Sequence, residues 1–327
     1  MLTFTVRSGR AALAAAALAG SLLSPAMARA EDATPAACAD LDRTAMLAAA
    51  TAWTDHSFVT ANAAEFEAAL APDLVYHSAA FGDVDLQGWI AGRAVLEEAY
   101  PGGTIAVNEA IVDGPWVVTQ WTATGVWSGP FMGTPPSGDP VEWDGINVYR
   151  FDCGKIAEAW TSLDQYGRND PVTPEAANPA TPAASCATAG EPVAEAEAIA
   201  LLSQWWADGW NSGNAAAADA VTASDVLHHW AMGPDTVGDA AIAEQIASWR
   251  AAMPDLVITP AEIVVEGDLA AARWTATGAN TGGIMGNAPT GKSATWNGIN
   301  VFRIQCGEIV EIWSEMDAMG MTAQLGA

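Results

Sequence analysis

Hydrophobic residues recur along this chain first with a helical period and then with an alternating one. In the second half, Ile199, Leu202, Trp206 and Trp210 are spaced as on one face of a helix, which Ser212-Gly213 ends. The pattern then predicts a short alanine-rich helix after Asn214, a strand over 226–230, a helix over 239–252 and four strands over 256–265, 269–279, 293–304 and 309–317.

The first half of the chain has the same order of elements. In the second half, tight turns at Glu266-Gly267-Asp268 and at Cys306-Gly307 join strands as hairpins. Helices followed by an antiparallel meander are typical of the α+β class, in which the sheet can curl around its helices and leave a pocket. We therefore predict two tandem, cone-shaped α+β domains, each with N-terminal helices packed on a curved antiparallel sheet.

The two halves are copies of one sequence. Residues 121–167 match residues 274–320 without a gap, at a constant offset of 153 positions, and nearly half of these positions are identical. A period of this length indicates two whole domains of one fold rather than a solenoid. We place domain 1 at 38–168, a linker rich in Pro and Ala at 169–192, and domain 2 at 186–327.

The first thirty residues have the pattern of a secretory signal peptide. Arg7 and Arg10 precede the apolar stretch 11–23, and Ala28-Arg29-Ala30 supplies a cleavage site. We expect a periplasmic or secreted protein that makes no membrane contact after cleavage; the alternative is a retained signal anchor. Without the three N-terminal arginines, 9 basic residues face 39 acidic ones, a net charge of −30. This balance argues against nucleic acid as a partner.

Four cysteines are arranged in two equivalent pairs. Cys153 and Cys306 occupy the same turn in each copy, and Cys38 and Cys186 each precede a first helix. In an oxidising compartment the repeat favours the disulfides Cys38–Cys153 and Cys186–Cys306 among three pairings. Each would close a loop of over a hundred residues, worth roughly 4–5 kcal/mol in the chain-entropy model. Because no CxxC pair or Cys/His cluster occurs, we predict no metal site.

The end of each copy carries a series of motifs that resembles a known family. A loop of the form Gly-x-x-x-Gly-x-x-Met-Gly-x-x-Pro-Thr-Gly begins at Gly278 and includes Met285, and it is followed by Gly-Ile-Asn-Val-Phe-Arg and then by Gly-Glu-Ile-Val-Glu-Ile-Trp-x-x-x-Asp, which ends at Asp317. These motifs resemble those of SnoaL-like polyketide cyclases, or ester cyclases, of the nuclear-transport-factor-2-like superfamily. The similarity covers nearly all of domain 2 and, more loosely, domain 1.

The resemblance implies a reaction that needs neither metal nor organic cofactor. Cyclases of this family close a ring by an intramolecular aldol reaction, and their acid/base carboxylate falls on Asp317 here and on Asp164 in the first copy. A strand would place Glu311, Trp313 and Asp317 on one face, and a carboxylate beside an indole wall has a raised pKa. The alternative is that Asp317 caps a turn or pairs with an arginine.

Two equivalent histidines are further candidates. His77 and His229 lie in the short strand after the second helix, where the family often carries a histidine that points at the pocket. A structural, hydrogen-bonded role is the alternative. The neighbouring His228 would face the opposite side of the strand, so the two histidines of domain 2 would make a poor metal site.

Other pocket residues are predicted from the repeat and the family pattern. The family's usual histidine two residues after the first glycine of the loop is replaced here by Asn280, and by Trp127 in the first copy, which makes a proton relay there doubtful. The residues predicted to contact substrate are Trp160, Trp313, Asn147, Asn300, Arg303, Asn280 and Met285. The asparagines also suit backbone bridging, and Arg303 also suits neutralisation of carboxylates.

Three functions remain open on these grounds. The first is cofactor-free acid/base chemistry, an aldol cyclisation or isomerisation, on a small hydrophobic carbonyl compound. The second is a binding module that sequesters a hydrophobic molecule without chemistry. The third is a mainly structural or assembly role with filled pockets. Superfamily members commonly pair through their sheets, so we expect the two domains to form an intrachain pseudo-dimer, with a homo-oligomer as a further option.

Overall fold

The computed structural model describes residues 42–58, 64–78, 82–131, 134–165, 190–284 and 286–326. These residues belong to one compact unit that contains both copies of the repeat. The elements of domain 1 are α1 (Arg43–Asp55), α2 (Ala64–Glu67), β1 (Leu70–Ser78), β2 (Gly82–Asp85), α3 (Leu86–Ala99), β3 (Thr104–Asp113), β4 (Trp116–Val126), β5 (Pro140–Asp152) and β6 (Lys155–Leu163).

Domain 2 repeats this order with two changes, a π-helical segment and a C-terminal helix. Its elements are α4 (Glu195–Ser203), the π-helical segment (Gln204–Asn211), α5 (Ala215–Asp219), β7 (Thr222–Trp230), β8 (Thr236–Val237), α6 (Asp239–Ala252), β9 (Val257–Glu266), β10 (Leu269–Ala279), β11 (Ser293–Gln305), β12 (Glu308–Met316) and α7 (Ala318–Leu325). The sequence pattern predicted neither the π-helical segment nor α7, β2 and β8.

Each domain is built on a six-stranded sheet. The strand orders are β2-β1-β6-β5-β4-β3 and β8-β7-β12-β11-β10-β9. This confirms the predicted α+β class, but the sheets are mixed: β1 pairs parallel to β6, and β7 parallel to β12. The hairpin signals describe only the meander. β1 and β7 instead pair with its last strand, which follows them after a short strand, a helix and three hairpins, so local sequence does not reveal their direction.

Glycine allows one close packing contact in each sheet. Trp274 on β10 lies directly opposite Gly298 on β11, and Trp121 opposite Gly145 in domain 1. A methyl group added at Gly298 would stand 2.1 Å from the indole ring of Trp274. Because Gly298 has no side chain, the Trp274 indole can lie over it on the inner face of the sheet.

The two sheets pack against each other through their outer faces. One hydrophobic cluster contains side chains of both domains: Ile111, Val118, Ile146 and Val148 of domain 1 with Val264, Leu269, Ala271, Ile299, Val301 and Trp313 of domain 2. Ion pairs border this cluster, including Arg43 with Glu266 at 2.7 Å and Arg303 with Glu109. This interface corresponds to the intrachain pseudo-dimer that we expected.

Several sequence predictions lie outside the described residues. These are the signal peptide, Cys38, Cys186 and most of the linker. Cys153 and Cys306 occupy turns with positive φ angles of 50° and 61°, and neither is a free thiol. The predicted pairing stays a prediction. Within the described ranges, no helix has the length and apolar character needed to cross a bilayer.

Replacement of Gly298 by alanine should destabilise the protein by about 1–3 kcal/mol, the usual effect of overpacking a sheet. The reason is the clash of the new methyl group with the Trp274 ring. Chemical denaturation followed by circular dichroism would measure the effect. Gly233→Ala is a matched control, because its methyl group would meet only ordinary van der Waals contact at 3.7 Å. Equal midpoints for the two variants would contradict the packing argument.

Candidate active site in domain 2

The π-helical segment forms one wall of a cavity in domain 2. In a π-helix residues five apart in sequence are one turn apart, which brings Trp205 and Trp210 together with ring centroids 6.1 Å apart. Trp206 meets Phe302 edge-on at 5.4 Å. The segment therefore directs three tryptophans into one space, where a regular α-helix would bring only Trp206 and Trp210 onto one face. π-Helical turns occur frequently at functional sites.

Tryptophans from four other elements complete the wall. Trp249 stacks on Trp296 at 6.0 Å, and Trp230 meets Trp249 edge-on at 6.1 Å. Together with Trp274 they enclose a narrow cavity of about 40 Å³, which is room for about three water molecules. A ligand larger than that enters only if tryptophan side chains move.

A chain of hydrogen bonds crosses the floor of this cavity. The indole Nε1 of Trp274 can only donate, so it fixes Oδ1 of Asn300 as its acceptor at 2.6 Å. Asn300 Nδ2 must then donate to Ser314 Oγ, at 2.8 Å. The hydroxyl proton of Ser314 is thereby left for Nε2 of His228, at 2.8 Å. The network thus assigns the tautomer of His228 that carries its proton on Nδ1.

His228 is a buried imidazole held in its neutral form. Burial lowers its pKa to about 4, although Gln245 acts in the opposite direction. Within the described structure, neither Nδ1 of His228 nor Oε1 of Gln245 has a partner of normal hydrogen-bond geometry. The two side chains are therefore close but imperfectly aligned. A neutral imidazole with a free lone pair toward a serine hydroxyl is a proton acceptor.

One buried indole donor in the wall has no acceptor. Nε1 of Trp296 has no hydrogen-bond partner among the described residues. The lining residues of this part of the structure include no charged side chain. The cavity consequently suits a neutral ligand with an acceptor oxygen, because a bare charge would have no counterpart.

The cavity of domain 1 has the same place in its domain but a different floor. Asn147 Oδ1 accepts a hydrogen bond from the Thr161 hydroxyl at 2.8 Å, and Asn147 Nδ2 donates one to the Tyr149 hydroxyl at 2.7 Å. Tyr149 stands where domain 2 has Phe302, and Nε1 of Trp121 finds no partner in the described structure. Tyr76 stands in place of His228, and burial raises its pKa. Domain 1 therefore lacks the imidazole base.

A family model ties both domains to known proteins. The model for SnoaL-like polyketide cyclases matches residues 44–169 and again residues 200–325. The chain belongs to the SnoaL-like polyketide cyclase family. No curated protein matches it.

Several solved structures are similar to part of the chain. TsrD from Streptomyces laurentii is 30% identical over 41% of this chain and 98% of its own, with a TM-score of 0.39. Wild-type IdmH from Streptomyces antibioticus is 29% identical over 39% of this chain and 98% of its own, with a TM-score of 0.34. AclR from Streptomyces galilaeus is 26% identical over 41% of this chain and 87% of its own, with a TM-score of 0.37.

The structure corrects the expected position of the strand-end carboxylate of this SnoaL-like protein. Asp317 is the N-cap of α7 and accepts a hydrogen bond from Gly320 N at 2.8 Å. It borders a cleft of about 350 Å³ between the domains, together with Trp160 and Arg273, and it does not line the tryptophan cavity. The reason is strand alternation: Ser314 and Met316 face the cavity, so the other face of β12 points to the partner domain.

Asp164 likewise lies away from the cavity of its domain. It is half-buried at the end of β6, its backbone N donates to Asp144 O, and it is not part of the cavity lining of domain 1. It adds to an acidic group at the interface. Burial, followed by the charges of Asp164, Asp144 and Asp235, raises the pKa of Glu315 well above its usual range.

The two repeated histidines also face the domain interface. His229 stacks on Trp313 at 5.3 Å and contacts Asp235 at 2.8 Å and Glu311 at 3.1 Å. Burial opposes its charge, but these two carboxylates prevail and raise its pKa to about 9. His77 stacks on Trp160 at 5.1 Å in the same way. The expectation that these histidines and tryptophans line the cavities of their own domains is therefore wrong.

The other predicted contact residues have four different outcomes. Asn147 and Asn300 line their cavities. Arg303 instead bonds Glu311 and Asp268 on the outer face of the sheet, and Glu109 across the interface. Asn280 is fully buried and holds its loop through Gly283 N at 2.9 Å, outside the cavity lining. Met285 lies outside the described residues.

Sequence reasoning missed His228, Ser314 and Gln245. The available signal was alternation: Val226, His228 and Trp230 share one face of β7, and two of the three are apolar. We gave priority to His229 because it repeats His77. Among the described residues, no three His, Cys, Asp or Glu side chains form a group suited to a metal ion.

The pKa values of the neighbouring His228 and His229 should be shifted in opposite directions. With a pKa of about 4, His228 should stay neutral down to about pH 5, while His229, at about 9, should be protonated at pH 7.5. Stability linked to His229 is then present below pH 6.5 and lost as pH rises toward 9; that linked to His228 is present above pH 6.5 and lost as pH falls toward 4. Imidazole NMR, assigned with His228→Gln and His229→Gln, would measure both. A protonated His228 at pH 6 would refute the assignment.

Proposed function

We propose that domain 2 binds a small, planar, largely apolar carbonyl compound and moves a proton on it. The observation that carries this proposal is the 2.8 Å contact between Ser314 Oγ and His228 Nε2 at the floor of a tryptophan-lined cavity. Membership in the SnoaL-like polyketide cyclase family supports both ligand binding and cyclase-type chemistry.

The ligand class follows from the lining of the cavity. Indole walls favour flat, apolar molecules, and stacked aromatic pairs are worth about 0.5–1.5 kcal/mol beyond buried area. Nε1 of Trp296 offers one hydrogen bond to an acceptor such as a ketone oxygen. A hydrogen bond there strengthens as negative charge develops on that oxygen during enolate formation.

The proton route runs through the serine. Ser314 lines the cavity, whereas His228 lies behind it. A proton taken from the carbon next to the carbonyl passes to Ser314 Oγ as the serine proton passes to His228 Nε2. Acid/base catalysis of this kind typically contributes 10²–10⁴-fold in rate. Domain 1, with Tyr76 in this place, would bind a ligand without such chemistry.

A second candidate function is binding alone. The narrowness of the cavity favours it, since about 40 Å³ leaves no room for a large substrate without rearrangement of the tryptophans. The low pKa of His228 also makes it a weak base. In this case domain 2 would retain its ligand unchanged.

Replacement of His228 by glutamine should lower proton exchange by about 10²–10⁴-fold. The assay is loss of the benzylic hydrogen signal of phenylacetone in D₂O by NMR, with binding followed in parallel by quenching of tryptophan fluorescence. Glutamine can occupy the site and hydrogen-bond Ser314 but cannot accept a proton near neutrality, so binding should change little.

Four further variants sharpen this experiment. His229→Gln and Asp317→Asn alter groups outside the cavity and should retain exchange; loss only in Asp317→Asn would instead favour the strand-end carboxylate expected from the sequence. Ile258→Trp should block binding in domain 2, while the equivalent Ile105→Trp fills the cavity of domain 1. Binding without exchange in the unaltered protein would support the second candidate.

We also infer that the chain is exported and that its cysteines are paired within each domain. The N-terminal pattern of basic, apolar and small residues supports export. A mass map of non-reduced peptides should show Cys38–Cys153 and Cys186–Cys306. Pairing between the domains, or four free thiols, would contradict the inference, and an uncleaved N terminus in the exported fraction would contradict the signal peptide.

A further inference from the structure

We propose that Ser314 is a nucleophile and that domain 2 transfers acyl groups from esters or thioesters that have good leaving groups. The proposal rests on the proposed function to the extent that the acyl donor occupies the same tryptophan-lined cavity. It adds a covalent step in which the serine itself is acylated.

The first support is the arrangement of nucleophile and base. Ser314 Oγ already accepts a hydrogen bond from Asn300 Nδ2, so its only proton is directed at His228 Nε2. A serine within hydrogen-bond reach of a neutral imidazole is the arrangement by which proteins activate a hydroxyl for attack. Ser314 lines the cavity and is 4% exposed, so the attacking oxygen faces the ligand rather than bulk water.

A third group lies near the base. Gln245 interacts with the His228 ring, and the tautomer assigned above leaves a proton on His228 Nδ1. A neutral amide in this position has a precedent in the Cys-His-Asn arrangement of papain-like proteases. The buried oxygen of Gln245, with no partner in the described part of the chain, would accept this proton more closely once the imidazole becomes charged.

A fourth group faces the charge that the reaction creates. Attack on an acyl carbon turns the carbonyl oxygen into an oxyanion, which requires a donor in a site that excludes water. Trp296 lines the same cavity, and its Nε1 is buried and has no partner among the described residues. Such a donor is costly to leave unpaired, and a ligand oxygen would satisfy it.

The proposed steps conserve atoms and charge. Ser314 Oγ bonds to the acyl carbon as its proton moves to His228 Nε2. The bond from that carbon to the leaving oxygen or sulfur breaks, and the leaving group takes the proton from His228. Water then attacks the acyl-serine, its proton passes through His228 back to Ser314 Oγ, and a carboxylic acid is released. The net reaction is hydrolysis of an ester or thioester.

The burial of His228 restricts the substrates. Its pKa of about 4 makes the charged imidazolium unfavourable, so the base contributes at the low end of the usual range of about 10²–10⁴-fold. The leaving oxygen or sulfur must then be able to depart with little help from the His228 proton. Aryl esters, enol esters and thioesters meet this condition, whereas simple alkyl esters do not.

Domain 1 provides an internal comparison. Thr161 replaces Ser314, and its hydroxyl donates to Asn147 Oδ1 rather than to a base. Tyr76 stands in place of His228 and Gly92 in place of Gln245, by the alignment of the paired strands and helices. All three members of the arrangement are absent there, so acylation should be confined to domain 2.

The test uses the full chain and 4-nitrophenyl acetate. We expect a burst of 4-nitrophenolate with one acetyl group per chain, located on the peptide that contains Ser314 after acid quenching and mass mapping. Ser314→Ala should abolish the adduct, and His228→Gln should slow acylation by about 10²-fold or more. Phenyl acetate should react and ethyl acetate should not.

Matched variants separate acylation from a structural role. Thr161→Ala makes the equivalent change in domain 1, and Ser162→Ala alters a buried serine on the outer face of its strand; both should retain the burst. Ser314→Cys keeps a nucleophile of similar size and should yield a thioester adduct if the alanine variant misfolds. Below pH 8, the rate should be independent of pH down to about pH 5, because His228 is already neutral.

Other outcomes would overturn the proposal. Acetylation only at lysine or at the N terminus, a burst that survives in Ser314→Ala, or a rate unaffected by His228→Gln would each do so. Phenylacetone binding and exchange, measured on the same samples, distinguish this failure from failure of the proposed function. If exchange persists without an acyl adduct, only the nucleophilic step is wrong.

Discussion

The central strands of both sheets are buried on both faces, and this constraint determines where the chemistry of the molecule lies. Successive side chains of a strand point to opposite faces. On β12, Ser314 and Met316 therefore face the tryptophan cavity, while Trp313 and Glu315 face the other domain. A residue on this strand contributes to the ligand cavity or to the domain interface but not to both. The two kinds of site stand back to back across one sheet.

The sequence predicted the local architecture well and the long-range choices poorly. Hairpin turns, helix spacing and the repeat predicted the meander and the division into two domains. They did not predict that β1 and β7 lie parallel to the final strands, since no local signal specifies that pairing. The π-helical segment was also missed, because Trp206 and Trp210 fit an α-helical period as well. Alternation identified two sets of residues on β12 but not which set faces inward.

Comparison of the two copies identified residues that they share on both faces of the sheets. Pairs retained on the outer faces include His77 and His229, Trp160 and Trp313, Arg150 and Arg303, and Glu158 and Glu311. Pairs retained in the cavity linings include Trp121 and Trp274, Trp143 and Trp296, and Asn147 and Asn300, although the two amides have different hydrogen-bond partners. The copies differ at or behind the cavities in Tyr76 and His228, Tyr149 and Phe302, and Thr161 and Ser314.

Joining the two domains in one polypeptide removes a restriction that symmetric dimers obey. In a homodimer every substitution occurs twice, so a change that disables one cavity disables the other. Here a sequence change at one position, such as Tyr149 in domain 1 or Ser314 in domain 2, leaves the other domain unchanged. The cavity of one domain can therefore change while the interface between the two domains is kept. A single chain with two similar domains can therefore combine matching outer faces with two unlike interiors.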